Sequence, residues 1–228
     1  MNLHEQYLER LVHCPIMDPE PPTQLETAGR ELSAWALRQS FQGKLVGKPE
    51  EVLHDIRGRV LEYISDGTKA RRIAYRLFKL LLEFEVVHLE QPYNLIVAGY
   101  TIQGEYALLR SRKGECIPHV LIVHPEEPSQ RNFHAMPPDT VSLLRLLHAR
   151  TNTKFSNARL LHYALTSAKY WIVKDLNTGL ARKYVEDIIK VAALRPQFPS
   201  IGEHCRRCRS KPCLGVFNGQ DDNSRTGR

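Results

Sequence analysis

Three cysteines crowd the C-terminal run Gly202-Glu-His-Cys-Arg-Arg-Cys-Arg-Ser-Lys-Pro-Cys213 in a C-x2-C-x4-C pattern, and a lone thiol, Cys14, lies near the other end. If Cys14, Cys205, Cys208 and Cys213 meet at one metal centre, the two ends of the chain are clamped together and the fold between them is bracketed. Closing so long a loop would restrict the unfolded chain by about 5 kcal/mol in the simple entropic picture. The total of five cysteines is odd and their placement lopsided, which argues against a secreted disulfide framework. The same thiolates admit zinc, as do three of them with His204 or His13, and unliganded thiols are the plain alternative. Only one C-x2-C pair exists, which speaks against a zinc ribbon. Cys116, after Gly114, reads as an ordinary small core residue.

The 228 residues, 42% of them hydrophobic, suffice for one good core. We expect a single domain over 1–217, with a helical part at 24–84, a sheet-containing core at 85–195, a cysteine-rich segment at 196–217 and a disordered polar tail at 218–228. No apolar run approaches the about 18 residues that a membrane span needs, and MNLHEQYLER is unlike a secretory signal; a soluble, cytoplasmic protein without a membrane partner is expected. A formal charge of +7 suggests a polyanionic partner, since clustered cations release counterions from phosphates.

Apolar spacing predicts a helix beginning near Leu32, a second from Glu50 to about Ile64 and a third from Thr68 to Phe84. The period then changes. Glu85–Leu89, Asn94–Ala98, Gln103–Arg110 and Ile117–His124 are short, rich in β-branched residues and leucine, and separated by turn residues, which predicts four strands of a mixed or antiparallel sheet. Helical spacing returns at Asp139–His148 and again around Asn157–Ser167. A strand is expected at Tyr170–Val173 and a last helix at Leu180–Leu194, capped by Asp175 or Asn177.

This arrangement resembles the RecB-like branch of the PD-(D/E)XK nucleases that carry an iron–sulfur staple, a group that includes AddB-type helicase-nuclease subunits and CRISPR-adaptation exonucleases. The likeness covers nearly the whole chain and includes the phrase Phe198-Pro-Ser-Ile-Gly-Glu-His-Cys205 ahead of the cysteine trio. It implies an α/β (α+β) fold with a restriction-endonuclease-like core, a central mixed sheet flanked by helices, and N- and C-termini joined by a [4Fe-4S] cluster on Cys14, Cys205, Cys208 and Cys213, with zinc as the alternative. Ala158–Asp175, read as a helix followed by a strand, is similar to the last core elements of that family.

The resemblance also implies a G-x-x-D strand followed by a strand reading D-Y-K or E-x-K, whose acids hold a divalent ion while the lysine activates water. Here the first phrase is Gly104-Glu-Tyr-Ala107, with alanine in the place of the acid. The second is Val120-Leu-Ile-Val-His-Pro125, with neither acid nor lysine. Asp175-Leu-Asn-Thr-Gly179 imitates the second phrase, but Asn177 stands where the lysine would be and the segment comes late. A relocated set drawn from Glu105, His124, Glu126 and His54, using magnesium or manganese, is the catalytic alternative; Glu127 neighbours it. Each has a bland reading: Glu105 as a solvent-facing edge residue, Glu126 and Glu127 as a loop, His54 as a surface histidine.

The expectation is therefore a catalytically degenerate, nuclease-like protein serving as a DNA-binding or assembly subunit in DNA processing or in a helicase, nuclease or CRISPR-type defence complex. DNA contacts are expected from Arg206, Arg207, Arg209 and Lys211, between the cluster ligands. Lys69, Arg71 and Arg72, and Arg110, Arg112 and Lys113, could extend that surface. Aromatic residues are sparse among these cations, so stacking on single-stranded bases is not indicated by the sequence.

Overall fold

A computed structural model describes residues 2–4, 24–124, 139–173 and 176–194. The described chain begins with a short strand, β1 (Asn2–His4), and continues with three helices, α1 (Gln24–Phe41), α2 (Pro49–Leu61) and α3 (Gly67–Glu83). Strands β2 (Phe84–Val97), β3 (Tyr100–Ser111) and β4 (Pro118–His124) follow, then α4 (Thr140–Thr151), β5 (Arg159–Ala164), β6 (Lys169–Val173) and α5 (Thr178–Leu194).

Local chemistry sets the helix starts. Pro49 opens α2, where its missing N–H costs nothing, and the Lys48 amide donates to the Glu51 carboxylate at 3.1 Å. The Asp66 carboxylate caps α3 by accepting from the amides of Thr68 at 2.8 Å and Lys69 at 3.1 Å. Asp139 does the same for α4 through the Ser142 amide, and the Asn177 side chain accepts from the Leu180 amide at the start of α5.

The sheet is mixed. β3 pairs antiparallel with β2 along one edge; its other edge is shared by β1, parallel at Thr101–Gln103, and β4, antiparallel at Leu108–Arg110. β4 runs parallel to β5, and β5 antiparallel to β6. The expected strands Glu85–Leu89 and Asn94–Ala98 are one long strand, β2, with register shifts at Val86/His88 and Glu90/Tyr93. Pro92, which cannot donate to a ladder, falls inside the second shift, where an unpaired residue is tolerated. Ala98 and Gly99 then turn the chain with φ of 50° and 81°, the positive pair that a two-residue hairpin requires.

The helix expected around Asn157–Ser167 is a correction: Arg159–Ala164 is strand β5. It lies between β4 and β6 with Leu160 packed on one face and Leu161 and Tyr163 on the other. A strand buried on both faces loses its alternation, so its apolar run mimics a buried helix. Cys116 is likewise corrected, being exposed in the turn between β3 and β4.

Helices α1–α3 cover one face of the sheet. Leu32, Ile56, Val60, Ile73, Leu77 and Leu81 pack there with Val86, Ala107, Leu109, Leu121, Leu161 and Tyr163. Helices α4 and α5 cover the other through Leu143, Leu144, Leu147, Val185 and Ile189, against Val97 and Ile102. Leu146 and Ala149 continue that layer over Tyr106, Leu108, Val120, Ile122 and Leu160. Arg150 fastens α4 to its surroundings by donating to the carbonyls of Ala158 at 2.9 Å and Leu176 at 3.0 Å. The chain is thus a mixed α/β fold with a mixed sheet between helical layers. Among the described residues no helix is long and apolar enough to cross a membrane.

Leu161 is fully buried in the middle of β5. We expect Leu161→Ala to lower the unfolding free energy by roughly 2–5 kcal/mol in denaturant titration. A loss under 1 kcal/mol would contradict a central β5.

Candidate functional site

Alternation along β3 and β4 decides what the expected catalytic positions face. Ala107 and Leu109 point into the α1–α3 layer with Leu121, whereas Tyr106, Leu108, Val120 and Ile122 point into the α4 layer. Ala107 is buried and apolar, as are Val120, Leu121 and Ile122 of the phrase Val120–Pro125, in which Val123 and His124 are half-buried. A carboxylate or ammonium there would have to leave water without a partner, which burial penalises heavily.

Of the relocated set, Glu105 and His124 fall on opposite faces of the sheet. Glu105 has the parity of Ala107 and is exposed on the α1–α3 side, between the stretch of β3 that pairs with β1 and the stretch that pairs with β4. His124 has the parity of Ile122 and lies on the opposite side. His54 is exposed on α2. Glu126, Glu127, Asp175, the four cysteines Cys14, Cys205, Cys208 and Cys213, the alternatives His13 and His204, and the cations Arg206, Arg207, Arg209 and Lys211 lie outside the described residues. Among the described residues no group of three or more His, Cys, Asp or Glu side chains could hold a metal ion.

His124 instead belongs to a stack spanning three strands. Its ring lies 5.2 Å from that of His162 on β5 at an interplanar angle of 15°, and His162 lies 4.9 Å from Trp171 on β6 at 14°. His124 Nε2 and His162 Nδ1 are 2.9 Å apart, so one imidazole donates and the other accepts. Such a bond requires at least one neutral ring. Burial pulls both imidazoles below their ordinary range; the neighbouring His124 adds to the effect on His162, which falls to about 4, while Asp139 at the head of α4 opposes both shifts. His162 escapes a helical reading of 157–167, because only the strand register sets it beside His124 and Trp171.

A second polar cluster lies on the same face. Tyr106 hydroxyl and His148 Nδ1 are 3.0 Å apart, and the fully buried Tyr93 stacks on His148 at 4.8 Å. Nearby, His88 Nε2 donates to Glu90 at 2.6 Å. Burial, reinforced by Glu90, raises the Tyr106 phenol, and burial lowers His148. These partners satisfy one another within the layer, which suits a structural network better than a reaction centre.

The basic residues expected to extend a DNA surface fall into place differently from their sequence separation. Lys69, Arg71 and Arg72 are exposed on α3. Arg112 reaches the far end of the same helix, its amide donating to Glu83 and its Nε to the Leu81 carbonyl at 3.3 Å. Arg110 is engaged by Glu85 at 2.8 Å, which holds that carboxyl below the usual range.

No family model matches the chain, and no curated protein matches it. A solved structure described as the crystal structure of SSO0001 aligns over 91% of this chain and 82% of its own, at 12% identity and a TM-score of 0.39. That degree of likeness carries no argument about fold or function.

The histidine pair makes stability depend on pH. Free imidazoles titrate near 6.5, and the folded rings titrate lower, so the unfolded chain binds more protons below that value. Stability should be full above about pH 6.5 and decline until pH falls through the folded value of about 4, losing roughly 3 kcal/mol for His162 alone. His162→Phe should flatten this slope in denaturant titrations between those limits; an unchanged slope would contradict the buried neutral pair.

Proposed function

We propose that this chain is a non-catalytic, nuclease-like protein that serves as a DNA-binding or assembly subunit in DNA processing or defence, with its ends stapled by an iron–sulfur cluster. The observation that carries the non-catalytic half is the apolar burial of Ala107, where the resemblance implies an acid, and of Val120, Leu121 and Ile122 within the phrase Val120–Pro125, where it implies an acid and a lysine. The separation of Glu105 and His124 onto opposite faces of the sheet supports the same reading.

The donor set fits the cluster. Four thiolates, one isolated and three compactly spaced, match the requirement of one sulfur ligand per iron in a cuboidal centre. The resemblance assigns these ligands to Cys14, Cys205, Cys208 and Cys213. The placement of the two ends supports it: β1 pairs with Thr101–Gln103, and Ile102 of that segment packs in the same core cluster as Ala181, Val185 and Ile189 of α5. Segments leading to the N-terminal and C-terminal cysteines therefore approach one region of the fold. A bound cluster would act as a fixed cross-link, with Arg206, Arg207, Arg209 and Lys211 between its ligands available for phosphates.

Anaerobically purified protein should be brown, carry about four irons per chain and lose that iron, with a lower melting temperature, in Cys205→Ala. Stoichiometric zinc without iron would replace the cluster by a zinc staple. The same preparation should bind DNA and leave it uncut with magnesium or manganese. Cleavage abolished by Glu105→Ala or Glu126→Ala would instead establish a relocated nuclease site.

A further inference from the structure

Helix α3 buries one side deeply and leaves an outer face of unusual composition. Ala70, Ile73, Ala74, Leu77, Phe78, Leu80 and Leu81 face the core, so Lys69, Arg71, Arg72, Arg76 and Lys79 all fall on the outward arc. The helix has one acid, Glu83, and it pairs with Lys79 at 3.6 Å. Asp66 is occupied with the amides of the first turn. Two large apolar side chains on the same arc are left in water, Tyr75 at 58% exposure and Leu82 at 54%.

Two grooves run along this helix. One, of about 330 Å³, is walled by Lys69, Arg72 and Arg76 and closed by Thr166 of the β5–β6 turn. The other, of about 470 Å³, is flanked by Tyr75, Leu82 and Lys79 on the helix, Tyr170 on β6 and Lys113 after β3. Tyr170 is 45% exposed and is held edge-on by Phe84, their centroids 5.3 Å apart. Cations of α3 and of the β3–β4 turn, distant in sequence, thus share one surface with two exposed tyrosine rings.

We infer that this face of α3 is a binding track for single-stranded DNA, with Lys69, Arg72 and Arg76 holding phosphates and Tyr75 and Tyr170 stacking on unpaired bases. The charge complementarity selects a polyanion. The tyrosines select one whose bases are uncovered, since a duplex hides its base faces and offers a ring nothing to stack on. An acidic protein would supply the charge, but it would offer no array of flat rings. The inference rests on the DNA-binding reading above and adds the site and the form of the strand.

The test uses the full chain with fluorescein-labelled DNA, single-stranded and duplex, and single-stranded RNA of the same sequence, followed by anisotropy across a salt series. Lys69→Glu with Arg72→Glu should weaken single-stranded binding by about tenfold or more and reduce the magnitude of the salt slope by about two. Tyr75→Ala should weaken it roughly five- to hundredfold. Tyr75→Phe should restore it, duplex binding should be unmoved by Tyr75→Ala, and Lys154→Glu on the remote side should change nothing. Melting curves on each variant confirm that the fold is retained. Tight single-stranded binding indifferent to the α3 substitutions would overturn the inference and leave the DNA-binding reading standing, as would a duplex preference or a preference for RNA over DNA. Absence of any DNA binding by the unaltered chain would overturn both.

Discussion

The fold depends on β3 having partner strands on both of its sides. β2 occupies one edge for its full length, and β1 and β4 divide the other, so a single strand ties together the chain's start, its long hairpin and the parallel unit that carries β5 and β6. Its side chains alternate between two apolar layers, which fixes the register: a slip of one residue would carry Ala107 and Leu109 out of the α1–α3 layer and place Glu105 and Tyr106 on the wrong faces. Both helical layers are assembled on this strand.

That alternation also governs the chemistry. The side chains that β3 and β4 bury at Ala107, Leu109, Val120, Leu121 and Ile122 are aliphatic. Among the polar groups buried with the sheet, the imidazole of His124 pairs with His162, and Tyr106 with His148. The exposed cations Lys69, Arg71 and Arg72 lie instead on the outer arc of α3.

Much of the architecture is legible from local signals. Asp66 before Thr68, Pro49 before two glutamates, and the apolar spacing of Ile73, Leu77 and Leu81 each state a helix with its physical cause. The Tyr- and Leu-bearing run at Gln103–Arg110 and the Ile- and Val-rich run at Ile117–His124 state strands. β5 is not legible, because a segment covered on both faces carries no alternation, and losing β5 also hides the His162 contact with His124 and Trp171. Tyr75 among arginines reads as one more helical position; only the fold brings Tyr170 and Lys113 across from it. The apolar residues at Ala107 and along Val120–Ile122 can be read directly, whereas the opposite facing of Glu105 and His124 needs the register of two strands.

The parallel pairing of β1 with β3 sets an order of assembly. Asn2–His4 is made well before its partner Thr101–Gln103, with α1–α3 and β2 synthesised between them. Parallel contacts across so long a separation close late, because the loop entropy is lost before the pairing is gained. The earlier-made strand is thus among the last to find its place.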